Sequence, residues 1–155
     1  MKPKTILSIL TFCLLGIAMA YSQDPFMGTW KVNKERSIIP AGAPKNNTVI
    51  YQPAGGNIEV TVDGTDSDGK PIHSEWTGQF DGKDYPVTGD PNSETRAYTK
   101  LNDHLLRYTV KKGGKETTVG RVGIASDGKS RTATGTGTNA EKAERGSTTT
   151  VFDKQ

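Results

Sequence analysis

NIEVTVDGTDSDGKPIHSEWTGQFDGKDYPV, residues 57–87, carries the period of a sheet. Ile58, Val60 and Val62 alternate with Glu59, Thr61 and Asp63, the two-residue repeat of a half-buried strand. Turn formers fill Gly64 to Gly69, and a second alternation follows. Ile72, Ser74, Trp76, Gly78 and Phe80 take one phase, with His73, Glu75, Thr77 and Gln79 in the other. Asp81-Gly82 closes a second hairpin, because such a pair tolerates the positive φ angles of a tight turn. Asp84 to Val87 leads out as a third strand. Adjacent antiparallel strands align like-phased side chains. Ile58, Val60, Ile72, Trp76 and Phe80 are therefore expected on one face, and His73 and Glu75 on the other.

The same grammar extends in both directions. Phe26 to Asn33 opens the domain, and Asn33 to Lys45, with Pro40, Gly42 and Pro44, reads as irregular. Asn46 to Gln52 is a strand carrying Val49 and Tyr51. Ser93 to Leu101 and His104 to Lys112 form a hairpin over Asn102-Asp103. Gly113-Gly114 turns into Lys115 to Ala125, Ser126-Asp127-Gly128 turns into Ser130 to Asn139, and Ser147 to Asp153 ends the series after a charged loop at Ala140 to Gly146. About ten short strands in serial hairpins predict an all-β, antiparallel up-and-down meander closed into a barrel, since a sandwich would want long crossovers. In Arg131 to Thr138 the threonines share one face, and Ala133, Gly135 and Gly137 the other. Glycines there suit a strongly coiled barrel strand.

Residues 1–20 read as a signal peptide and 21–155 as one domain. Lys2 and Lys4 precede an apolar run from Ile6 to Met19, and Ala18-Met19-Ala20 is an A-x-A cleavage site, with cleavage after Ser22 as the neighbouring alternative. The run is too short for a comfortable transmembrane helix, which needs roughly 20 residues. Export to the periplasm or medium is expected, with no integral membrane segment after cleavage. Loss of the two lysines leaves 18 basic against 17 acidic residues, so nucleic acid is not an expected partner. Cys13 leaves as well, and the exported domain has no disulfide. Leu, Ile, Val and Phe number only 21 in the mature chain, but 18 threonines suit a pleated surface that is half wet. A monomer or weak dimer is expected.

Three motifs carry a resemblance: Gly28-Thr29-Trp30-Lys31-Val32-Asn33, Asp68-Gly69-Lys70-Pro71-Ile72-His73, and Asp81 to Gly89 (DGKDYPVTG). Together they resemble the small secreted bacterial proteins described as lipocalin-like, most without an assigned function, over nearly all of Phe26 to Gln155. The resemblance implies a lipocalin-like barrel in which Gly28 and Trp30 are structural, the indole plugging the closed end. The chain has no clear room for the C-terminal helix of a lipocalin.

The candidate ligand-binding set is Ile58, Val60, Ile72, Trp76, Phe80, Tyr85, Arg96, Tyr98 and Tyr108. If the apolar row faces inward, these side chains either fill the barrel or line a pocket for a small apolar or amphipathic molecule, with Tyr85 and Tyr108 offering hydroxyls to orient it. The parity of Ser93 to Leu101 is open: either Arg96 and Tyr98 point inward, or Ala97, Thr99 and Leu101 do. Arg96 inward would suit an anionic group on the guest. His73 and Glu75, at i and i+2, are an alternative catalytic pair, although a face opposite the apolar row is usually wet. An envelope interaction module with a filled core is the third reading. Asp66, Asp68 and Glu75 match positions 3, 5 and 12 of a calcium loop, but Gly64 stands where the first carboxylate belongs, and no metal is expected. There is no nucleophile elbow, P-loop or dinucleotide fingerprint, and no cofactor is expected.

Overall fold

The computed structural model describes residues 24–138 and 145–155. The expected signal peptide, residues 1–20, and most of the expected Ala140–Gly146 loop lie outside them. Ten strands follow in order: β1 (Gly28–Ile38), β2 (Lys45–Ala54), β3 (Asn57–Thr65), β4 (Pro71–Gly78), β5 (Tyr85–Thr88), β6 (Thr95–Asn102), β7 (Leu105–Lys112), β8 (Lys115–Ile124), β9 (Ser130–Thr138) and β10 (Arg145–Lys154). Each pairs antiparallel with its neighbour in sequence, and β1 also pairs with β10, so the sheet closes into a barrel. Closure leaves no free edge in the sheet. The up-and-down meander expected from the hairpin signals is the fold.

The turns use the chemistry their residues allow. Lys112 faces Lys115 across a two-residue loop in which Gly113 and Gly114 both have positive φ (57° and 70°). Both central residues of such a turn must be left-handed if its twist is to match the strands it joins. Asp66 Oδ1 accepts from the backbone N–H of Asp68 (2.9 Å) and of Lys70 (2.8 Å), so this carboxylate shapes the β3–β4 turn.

Several boundaries differ from the sequence reading, among them the start of β10 at Arg145, inside the expected charged loop, and two others. The first strand runs on to Ile38, where an irregular segment was expected, with a break in register between Asn33 and Ile38. Polar side chains sustain it: Ser37 Oγ donates to Asn33 O (2.7 Å) and accepts from Val151 N (2.9 Å), a link across the seam that hydrophobic periodicity does not reveal. At the other boundary β4 stops at Gly78, although Phe80 still packs on the core.

The two ends of the barrel are unlike. At the end holding the β2–β3, β4–β5, β6–β7 and β8–β9 connections, Phe26, Trp30, Leu106 and Phe152 are fully buried. Trp30 Nε1 donates to Phe26 O (2.9 Å), which folds the chain preceding β1 under the barrel, and Lys154 Nζ stands 5.1 Å from the indole centre. Toward the opposite end, Thr118, Thr148 and Thr150 share the inward phase of Phe152 and Val122 and stay partly exposed, while Val62, Ser74 and Val110 are buried.

Candidate functional site

The register places the expected row inside. Val60 faces Trp76, Trp76 faces Val87, Tyr85 faces Arg96, and Tyr98 faces Tyr108. The open parity of the sixth strand resolves with Arg96 and Tyr98 inward, while Leu101 is exposed. Trp76 is the hub. Its ring lies 4.9 Å from Tyr98, 5.7 Å from Tyr85 and 6.3 Å from Phe80, and Tyr98 continues to Tyr108 at 6.1 Å. The Trp76 indole N–H donates to Arg96 O (2.8 Å), which fixes β4 against β6 where short β5 bridges them. The edge-to-face contacts of Trp76 with Tyr98 and Tyr85 add about 0.5–1.5 kcal/mol each to the burial of the rings.

Not every expected residue plays the part foreseen. Phe80 lies against Phe26 (5.9 Å) and Tyr51 (6.5 Å), and so belongs to the packed end. The Tyr85 hydroxyl donates to Asp81 Oδ2 (3.1 Å) in the exposed β4–β5 connection, so it is not free to orient a guest. Ile58, opposite Gly78, is at the packed end too, whereas Ile72, opposite Gly64, is at the other. Trp76, Arg96, Tyr98 and Tyr108 are the members brought together at mid-height.

Two further residues join them. Arg131 is 4% exposed and donates from Nη2 to the Tyr51 hydroxyl (3.1 Å). Its guanidinium carbon stands 4.6 Å from the Phe152 ring centre and 5.4 Å from that of Tyr51, within cation–π range. Arg96 Nη1 reaches the Tyr98 hydroxyl at 3.5 Å. Burial pushes the Tyr51 hydroxyl well above the ordinary tyrosine value, with Arg131 opposing that shift. Burial raises Tyr108 as well, against the opposing fields of Arg96 and Arg131. For Arg96, burial disfavours the charge, but Tyr98, Asp90 and Tyr108 outweigh it and the net shift is upward. The signal for Arg131 was present in the sequence: it shares the phase of Ala133, Gly135 and Gly137, the face that turns inward.

Those glycines make room for Tyr108. A methyl group at Gly135 would sit 2.5 Å from the Tyr108 hydroxyl, and one at Gly120 would sit 2.6 Å from its ring. Tyr108, Gly120 and Gly135 are aligned across three strands, so the phenol lies on a floor of bare backbone. The Thr-Gly repeat of β9, read as permission to bend, also gives this ring its space.

The alternative pair stands outside. His73 Nδ1 lies 2.6 Å from Asp63 Oδ1 and its Nε2 3.4 Å from Glu75 Oε1, with each of these side chains more than half exposed. The hydrogen bond to Asp63, then that to Glu75, raises the imidazole above its ordinary value. No pocket wall adjoins the pair. An open cleft of about 590 Å³ does occur at the packed end, lined by Asp24, Pro25, Lys100, Asp103, His104 and Asp127 among others. It is charged and open to solvent, and it shares no residue with the interior cluster.

No family model matches the chain, and no curated protein matches it. Among solved structures, it is similar to EF1p2_mFAP2b bound to DFHBI, with 15% identity and a TM-score of 0.48 over 84% of this chain and 94% of that one. It is also similar to a redesigned beta barrel, mFAP1, bound to DFHBI, with 18% identity and a TM-score of 0.44 over 84% and 95%.

Proposed function

We propose that this chain is an exported, lipocalin-like barrel that takes one small, mainly apolar molecule into its interior. One observation carries the reading: inward Thr118, Thr148 and Thr150, away from the Trp30 end, are partly exposed, although Val62, Ser74 and Val110 on the facing strands are buried. A barrel of this size is either filled or holds one small ligand, and partial exposure of inward Thr118, Thr148 and Thr150 supports the second. The exposed His73–Asp63–Glu75 group lacks the buried partner and enclosed site that acid–base work needs.

Trp30 and Trp76 are the two tryptophans, so a Trp30→Phe variant leaves Trp76 as sole reporter. The neutral fluorophore N-phenyl-1-naphthylamine is expected to quench Trp76 emission while its own fluorescence rises, and iodide is expected to leave the unliganded Trp76 largely unquenched. A Trp76 that iodide quenches freely, with no dye uptake, would overturn the reading. Export is tested apart from binding. N-terminal sequencing of material secreted by the native host is expected to begin at Tyr21 or Gln23, and a start at Met1 would refute the leader assignment.

A further inference from the structure

We propose that Arg96 and Arg131 receive an oxyanion inside the barrel, so that the guest is an apolar body bearing one carboxylate- or sulfonate-like group. The inference rests on the interior-binding reading above and adds the charge of the guest.

Arginine is rarely buried without an acidic partner, because a guanidinium taken out of water loses hydration that only an anion or a full set of acceptors replaces. Arg131 lacks both. Among the described residues no carboxylate lies within ion-pairing distance of it, and its Nε and Nη1 have no hydrogen-bond partner. Arg96, whose side chain is 15% exposed, reaches Asp90 at 3.7 Å and the Tyr98 hydroxyl at 3.5 Å, both long, and its Nε is also unpartnered.

A purely structural account must explain why the barrel keeps two such cations. Stacking on Tyr51 and Phe152 accounts for the faces of the Arg131 guanidinium but not for its N–H edges. Those edges are the part that recognises a planar oxyanion, through paired, charge-assisted hydrogen bonds. The Tyr51 hydroxyl adjoins the Arg131 guanidinium and the Tyr98 hydroxyl that of Arg96, and both phenols can donate to an anion as well. Above this polar floor, Val32, Ala133 and the threonines of β8 and β10 offer the apolar and weakly polar wall that the rest of the guest would need.

The test compares two dyes that differ by one group. 1-Anilinonaphthalene-8-sulfonate is N-phenyl-1-naphthylamine with an added sulfonate, so the ratio of their dissociation constants isolates the anion. The wild type is expected to bind the sulfonate at least about tenfold tighter, the scale of one hydrogen bond to a charged group. In Arg131→Met the ratio is expected to fall about tenfold while the neutral dye still binds, and in the unliganded state the variant should melt at the same temperature as the wild type or higher. 1-Naphthoate should displace the sulfonate from the wild type. Equal affinity of the wild type for both dyes overturns the proposal and leaves the interior-binding reading standing, and this arm needs no variant to fold. An unchanged ratio in folded Arg131→Met overturns it too. Failure of both dyes to bind overturns the interior-binding reading itself, and the proposal with it.

Discussion

Trp30→Ala is expected to lower the unfolding free energy by about 3–5 kcal/mol, the usual cost of truncating a buried aromatic. The residue is fully buried, and its removal does more than open a hole. The indole N–H satisfies the Phe26 carbonyl, and that bond draws fully buried Phe26 across the end of the barrel. Lys154, whose ammonium stands over the ring, belongs to the strand that closes the barrel against β1, and the next residue's N–H donates to Thr29 O (3.0 Å). Losing the ring therefore loosens both the plug and the seam. Trp30→Phe keeps most of the apolar volume and gives up one buried hydrogen bond, so it should cost less and remain folded. Urea denaturation with unchanged slope checks both. A loss below about 1 kcal/mol in Trp30→Ala would place the residue among surface positions and end its role as a plug.

Gly120→Ala is the second large effect expected, about 1–3 kcal/mol for a single methyl group. The added carbon would overlap the carbonyl oxygen of Thr134 on the neighbouring strand and stand 2.6 Å from the Tyr108 ring. A flexible side chain tip could yield, but a ladder carbonyl cannot without disturbing the β8–β9 pairing. Gly56→Ala is the matched control: nothing lies within 4 Å of its added carbon, and its φ is not in the left-handed range. Its effect should stay within about 0.5 kcal/mol. Thermal or urea midpoints of the two variants, measured side by side, decide the matter. Equal losses would show that the cost is backbone entropy in a glycine-rich sheet and not the seat of Tyr108.

The comparison explains what a sequence of this kind discloses. Alternation in Ile58 to Val62 and Ile72 to Trp76 was enough to assign an inner face, because burial of one sheet face imposes a period of two on both strands. Closure was legible from hairpin spacing alone. Arg96 stayed open because Arg96/Tyr98 and Ala97/Leu101 are equally plausible apolar phases until the partner strand is known, and only the pairing Tyr98↔Tyr108 fixes it. Arg131 was overlooked for a different reason. A charged residue on the inward phase is an exception to the pattern used to find that phase, so hydrophobic periodicity discards the residue it should flag. Tyr51 and Phe152 escaped notice as site residues since their meeting with Arg131 joins strands far apart in sequence.

The seam between β1 and β10 sets a timetable for the chain. Asn33 Nδ2 donates to Asp153 Oδ2 (2.8 Å) across a separation of 120 residues, and the ladder around it joins the first strand to the last. A ribosome adding about 5–20 residues per second leaves roughly 6–24 s between synthesis of those two segments. Throughout that interval the first strand lacks one of its two neighbours. The barrel can thus close only once its last strand has been made.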